Sequence, residues 1–308
     1  MSKPNLFIVG HPRTGTSSLH NYLNQHPDVF MTSIKEPNFF ASDFRIESDN
    51  YHKKSLYFPY RTERDYLTLY VKWNNEKIAG EASATNLCSK TSAKNIFNFN
   101  PKAKIIMMFR EPVDFLYSYH SAAVFSLGEN YKNLKTALIV EKERRDGRCF
   151  SKRVIAPSWL FYSEFIKYTE QINRFLKYFN RDQVKIIIFD DFKENTEIIF
   201  RQVLAFLDVD SSFKPEFEIV NPNKMLKWPR LKRYTLDSPY FRKALRLLFS
   251  ADAYAGMKKF YKNRIVTYKP RDTLDEDFRK ELMTTYKEEV DKLGQFLKRD
   301  VISQWGYD

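Results

Sequence analysis

Leu6-Phe7-Ile8-Val9-Gly10-His11-Pro12-Arg13-Thr14-Gly15-Thr16-Ser17-Ser18 is the stretch whose reading decides the fold. Leu6–Gly10 is a short apolar run ending in glycine, the pattern of a strand buried in a parallel sheet. A small polar turn follows over Thr14–Ser18. Leu19, Tyr22 and Leu23 then share one helical face until His26-Pro27 ends the helix. Strand, glycine-bearing turn and helix in that order suit an anion: glycines permit close approach, backbone N–H groups converge, and the helix N-terminus favours negative charge. Gly10 and Gly15 have the spacing of a nucleoside-triphosphate loop, yet Thr16 stands where such a loop needs lysine, and the cation comes earlier, at Arg13. A tight strand–helix turn with incidental small residues is the plainer reading of the same letters.

Working outward, Lys77–Ala82, Ala103–Phe109 and Val184–Phe189 are further strands. Helical patterns occupy Thr62–Trp73, Ser89–Phe99, the segment opened by Pro112, Asn133–Arg145, Ser158–Phe179 and Thr196–Leu207. Strands alternating with helices predict an α/β fold, a central parallel sheet flanked by helices, with ligand at the strand C-terminal ends. Residues 211–232 are irregular, with Pro215, Pro222 and Pro229, and helices return at Phe241–Leu248 and Glu276–Leu297. The chain is expected to form one domain over 1–308, with a core of about 1–210 and a helical C-terminal cap of about 211–308.

The net charge of +13 asks for an anionic partner without choosing among nucleic acid, lipid, polysaccharide and nucleotide. The basic residues are scattered and form no polybasic run, which speaks against nucleic acid and membrane; a soluble protein with a basic surface is the bland alternative. Cys88 and Cys149 lie far apart, with no CxxC and no His cluster at metal spacing, so two reduced thiols and no metal site are expected. The opening residues do not read as a signal peptide, and no apolar run reaches a membrane span, so a cytoplasmic protein without an integral membrane segment is expected.

Pro12-Arg-Thr-Gly-Thr-Ser-Ser-Leu19 resembles the 5′-phosphosulfate loop of sulfotransferases that use 3′-phosphoadenosine 5′-phosphosulfate (PAPS). The resemblance implies a P-loop-NTPase-like sulfotransferase fold. It assigns Arg13, Thr14, Gly15, Thr16, Ser17 and Ser18 to the donor, with Arg13 stabilising the leaving group. Lys104–Phe109 followed by Arg110-Glu-Pro and Ser118 is similar to the family's 3′-phosphate site; a guanidinium fork with a hydroxyl suits a dianionic phosphate. An Arg110 that merely pairs with Glu111 or Asp114 is the competing reading of that segment. Lys35-Glu36-Pro-Asn38-Phe-Phe resembles the segment that carries the proposed base of the polysaccharide-modifying branch, which makes Glu36 the candidate base. Asn38 stands where that branch often has His.

Gly80-Glu81-Ala82-Ser83-Ala84 is similar to a segment usually read Gly-Glu-Lys-Ser/Thr-Pro, so Ala82 replaces a lysine and Ala84 a proline. Lys35 is the candidate to compensate, and Glu81, Ser83, Lys35 and Asn38 are candidate acceptor contacts. Tyr168 matches a tyrosine that would line the nucleotide pocket, although a core tyrosine reads equally well. Phe189-Asp190-Asp191 imitates a metal-binding strand end, but the family has no metal there. Lys269 and Arg271 are placed to close over the donor. The resemblance thus implies sulfuryl transfer from PAPS, with 3′-phosphoadenosine 5′-phosphate (PAP) as product. The acceptor would be a hydroxyl, with an amine as the lesser alternative, on a small molecule or saccharide held by loops near 44–60, 120–155 and 211–270; the Glu-x-x-Phe-Phe pattern leans toward a glycan or glycolipid, and the basic charge fits an anionic saccharide. The rivals are a P-loop kinase or NTPase, which lacks its lysine here, and a non-catalytic binder of acidic polymer.

Overall fold

A computed structural model describes residues 3–126, 128–217, 224–226, 266–268 and 273–308. The expected helix Phe241–Leu248 and the basic pair Lys269 and Arg271 lie outside the described residues. The backbone divides into two compact units, Met1–Val220 with Leu274–Asp308, and Asn221–Thr273. In the second, Lys224–Leu226 and Val266–Tyr268 pair antiparallel.

The first unit is built on five parallel strands: β1 (Leu6–Gly10), β2 (Val29–Met31), β3 (Ile78–Ala82), β4 (Lys104–Phe109) and β5 (Val184–Ile188), in the order β2-β3-β1-β4-β5. Alternate residues feed the two faces. Phe7, Val9, Ile105, Met107 and Phe109 join one core, while Leu6, Ile8, Ile106 and Met108 join the other. The expected α/β architecture with a parallel sheet is therefore the one found. Because β1 is central, with β3 on one side and β4 on the other, the segments that leave these three strands emerge side by side at the sheet's C-terminal edge.

Several expected helices are subdivided. Thr62–Trp73 holds a helix over Glu63–Leu67 and a 3-10 turn over Thr68–Tyr70. Asn133–Arg145 becomes Leu134–Ile139 and Glu141–Arg145. Ser158–Phe179 becomes Pro157–Leu160, Tyr162–Phe165 and Tyr168–Leu176, because Phe161 and Lys167 leave helical geometry. The carbonyls of Glu164 and Phe165 exposed by that break accept from Gln171 Nε2 at 2.8 and 3.3 Å. Among the elements that escaped the sequence reading are β2, three residues long, the helix Ser42–His52, whose pattern is only weakly amphipathic, and the short helices Phe189–Glu194 and Val301–Trp305. The C-terminal helix Glu276–Leu297 belongs to the first unit.

Candidate active site

The loop between β1 and the Thr16–Leu23 helix owes its path to two glycines. A Cβ on Gly10 would lie 2.6 Å from Leu87 Cβ and 2.7 Å from the Ala84 carbonyl, so the loop passes against the segment after β3 only with glycine there. Gly15 caps the helix at φ 86°, a left-handed conformation that favours glycine. Behind the loop His11 is fully buried, and its Nε2 meets Gln171 Oε1 at 2.5 Å. Burial holds this imidazole down at about 3, so it is neutral and donates from Nε2 to Gln171. Thr14 turns its hydroxyl back onto the His11 carbonyl at 2.6 Å, which leaves its backbone rather than its hydroxyl for a ligand.

Three predicted site residues meet beyond the C-terminal ends of β1 and β4. Arg13, left-handed at φ 66°, donates from Nε to Ser118 Oγ at 3.2 Å. Arg110 leaves β4, lies 5.0 Å from the Phe189 ring centroid and gives one amino group to Asp114 at 3.3 Å. Its Nε is buried and has no partner among the described residues. The guanidinium of Arg13 is depressed by burial and then by the charge of Arg110. Ser118 thus contacts Arg13, where the sequence pairs it with Arg110. Two neighbouring cations and an orphaned N–H donor make a place that an anion satisfies. The pairing of Arg110 with Asp114, the competing reading, is also present; Asp114 is shared with Arg279 at 2.9 Å. These features fit the phosphate groups of a nucleotide donor.

Lys35 reaches the loop, donating from Nζ to Ser17 Oγ at 2.6 Å. A cation therefore stands at the loop although Ala82 has none to offer. Glu36 follows at φ 57° and Asn38 at φ 51°, both left-handed, and such strain is characteristic of functional segments. The carboxylate Oε2 of Glu36 accepts from the backbone N–H of Ala84 at 2.9 Å. A proline at position 84 would have no N–H to give. Glu36 is solvent-exposed by its own surface, yet protein crowds around the cleft it faces. That crowding raises its carboxyl, opposed by Lys35 and the Ala84 N–H. Asn38 is a strut, linked to the Glu36 carbonyl, Ser83 Oγ and Thr85 Oγ1, each at 3.0 Å.

Glu81 and Ser83 do not present themselves to an acceptor. Both are 0% exposed, and Ser83 donates to Glu81 Oε2 at 2.6 Å. Burial lifts the Glu81 carboxyl to about 8, so it is predominantly the neutral acid at pH 7. Tyr168 is likewise wholly buried; it donates its hydroxyl to the Arg110 carbonyl at 2.9 Å, holding that residue from behind. Asp191 is paired with Arg299, and Asp190 accepts from Trp305 Nε1 at 2.9 Å. Among the described residues no group of three or more His, Cys, Asp and Glu side chains is placed to hold a metal.

Beside the loop a cleft of about 330 Å³ opens between Pro12, Glu36, Tyr57, Phe58, Tyr119 and Trp159. The sequence reading named the 44–60 loop but none of these aromatic residues, and Trp159 lies past its second loop. The signal for Tyr57 and Phe58 was the run Tyr57-Phe-Pro-Tyr60, aromatic residues inside a loop rather than a periodic element; nothing local marks Tyr119 or Trp159.

The model of the Sulfotransferase family matches residues 4–214. A solved sulfotransferase from Alicyclobacillus acidocaldarius shares 26% identity and a TM-score of 0.68 across 99% of both chains. The membrane-associated sulfotransferase kil1 of Dictyostelium discoideum is 21% identical across 80% of this chain and 64% of its own. Carbohydrate sulfotransferase 15 of Mus musculus is 24% identical over 67% of this chain and 44% of its own. The bifunctional heparan sulfate N-deacetylase/N-sulfotransferase 4 of Mus musculus is 24% identical over 67% of this chain and 22% of its own. The chain spans less than two thirds of the length of each of these three curated relatives.

Proposed function

The chain belongs to the sulfotransferase family, and we propose that it moves a sulfuryl group from PAPS to a hydroxyl, that of a saccharide or a small molecule. The observation that carries this reading is the convergence of Arg13, Ser118 and Arg110, with the Glu36 carboxylate at the adjoining cleft. The donor supplies the sulfuryl group and is released as PAP. Arg13 and Arg110 neutralise phosphate charge, and Arg13 does so most where charge grows on the leaving oxygen. The N–H groups opening the Thr16–Leu23 helix, with Ser17 held by Lys35, orient the same end. Glu36 takes the acceptor's proton as the new S–O bond forms, its carboxylate steadied by Ala84. Catalysis then rests on in-line positioning and charge stabilisation. Carbohydrate sulfotransferase 15 and the heparan sulfate N-deacetylase/N-sulfotransferase favour a saccharide acceptor by their names; the second names transfer to nitrogen, so an amine is the alternative to the hydroxyl.

Thermal shift with PAP, ATP–Mg²⁺ and heparin tests the reading. PAP at 100 times its Kd raises stability by about 2.7 kcal/mol. A shift with ATP–Mg²⁺ but none with PAP selects the kinase-like alternative, and a shift with heparin alone selects the polymer binder. Transfer from radiolabelled PAPS should continue in EDTA; loss restored by Mg²⁺ would overturn the metal-free mechanism.

A further inference from the structure

The cleft at Glu36 does not share the character of the chain around it. The sequence carries a net charge of +13, yet among the described residues lining the cleft Glu36 is the one charged side chain. Much of the rest of the wall is aromatic and aliphatic, Tyr57, Phe58, Tyr119, Ile155 and Trp159, and its neutral polar pair, Asn38 and Thr85, is hydrogen-bonded to itself. Nearby cations have hydrogen-bond partners other than the Glu36 carboxylate, although Lys35 still acts on that carboxylate through space. Arg61 grips both oxygens of Asp49 at 2.7 and 2.8 Å and donates to the Tyr57 carbonyl at 3.0 Å. Arg45 donates to the Arg61 carbonyl at 3.1 Å. Lys35 and Arg13 are turned to Ser17 and Ser118.

The wall is also braced. Trp159 stands edge-on to Phe44 and to Phe58, with ring centroids 6.0 and 6.1 Å apart. Its carbonyl accepts from the Tyr119 hydroxyl at 3.0 Å, and Glu47 accepts from both the N–H and the hydroxyl of Ser158, at 3.0 and 2.6 Å. A preformed aromatic wall offers flat apolar contact at little entropic cost.

Resting on the sulfuryl-transfer reading above, we propose that this cleft takes an uncharged hydroxyl acceptor with a flat apolar face, and that the basic charge of the chain serves the donor. An acceptor carrying its own carboxylate or sulfate here would meet the Glu36 carboxylate with no cation among the described lining residues to offset it. At about 330 Å³ the cleft sits at the small end of ligand pockets, the size of a ring and a substituent rather than of a polymer segment. The anionic saccharide suggested by net charge alone is thereby set aside.

The test is calorimetric titration of the PAP-loaded protein with 4-methylumbelliferyl β-glucoside and with the matching glucuronide, which differ by one carboxylate. The glucoside should bind roughly tenfold tighter or more, since like charges a few ångströms apart near a protein surface cost at least that factor. Ile155→Lys should narrow or reverse the ratio while PAP affinity, which also reports folding, stays unchanged. A glucuronide bound as tightly, neither probe bound, or a ratio unmoved by Ile155→Lys in a protein that binds PAP overturns the acceptor proposal and leaves the donor reading standing. Failure to bind PAP overturns the donor reading, and this proposal with it.

Discussion

Arg110→Ala removes one of the two guanidinium groups beyond the sheet edge. The Arg110 side chain is 17% exposed, stacks on Phe189, and gives one amino group to Asp114 at 3.3 Å. Asp114 retains Arg279 at 2.9 Å, so the substitution leaves no orphaned carboxylate. Loss of the stacking contact costs the fold on the order of 1 kcal/mol. Donor binding loses more, because the Nε that has no partner among the described residues and the rest of the fork are available for a bidentate phosphate contact. Charge-assisted bonds of this kind contribute about 1.5–3 kcal/mol, which weakens PAP binding roughly 10- to 150-fold. Relief of the repulsion on Arg13 returns a little of that loss. Calorimetry with PAP at fixed ionic strength reads the change, and Arg110→Lys, which keeps the charge and loses the fork, should fall between wild type and alanine. A folded Arg110→Ala protein with unchanged PAP affinity would refute the assignment.

Glu36→Gln should lower turnover by ~10²–10⁴-fold with PAP affinity unchanged. Because the protein crowding around its cleft raises the Glu36 carboxyl, the wild-type rate should climb with pH through a range above that of ordinary carboxylates, and the glutamine variant should lack that limb; near-normal turnover in it would sink the base assignment. Glu81 titrates at about 8 when folded against an ordinary 4.5, so the native state binds the extra proton. Its stabilising contribution is complete below about pH 4.5 and is lost as pH rises towards 8. Denaturant melts should show stability falling across that window, and Glu81→Gln should flatten the fall. Arg144 grips both oxygens of Glu129 at 2.8 Å, with both side chains fully buried. Arg144→Met should cost about 3–5 kcal/mol in urea unfolding, and adding Glu129→Gln should recover part of it; an unchanged midpoint would contradict the buried pair.

The sequence by itself determined the strand–loop–helix at residues 6–23, the strands beginning near Lys77, Ala103 and Val184, and the parallel α/β class. Local periodicity carries that information, since a fully apolar run of five or six residues between turns has few other places to go. Gly10 and Gly15 were legible for the same reason: a tight strand–loop–helix turn is a short-range object. The tertiary structure alone decided which of these pieces meet. Arg13 finds Ser118 across 105 residues because β1 and β4 are neighbours, and nothing local encodes the order β2-β3-β1-β4-β5. It also decided that Glu81, Ser83 and Tyr168 are buried, Ser83 bonded to Glu81 and Tyr168 to the Arg110 carbonyl. The break between the helices at 162–176 depends on Gln171 satisfying carbonyls and on His11 behind the loop, partners 160 residues apart in sequence. Net charge sums over the chain and points to an anion; only the folded surface separates Arg13 and Lys35 at the loop after β1 from the cleft beside it, whose one charged lining side chain among the described residues is Glu36.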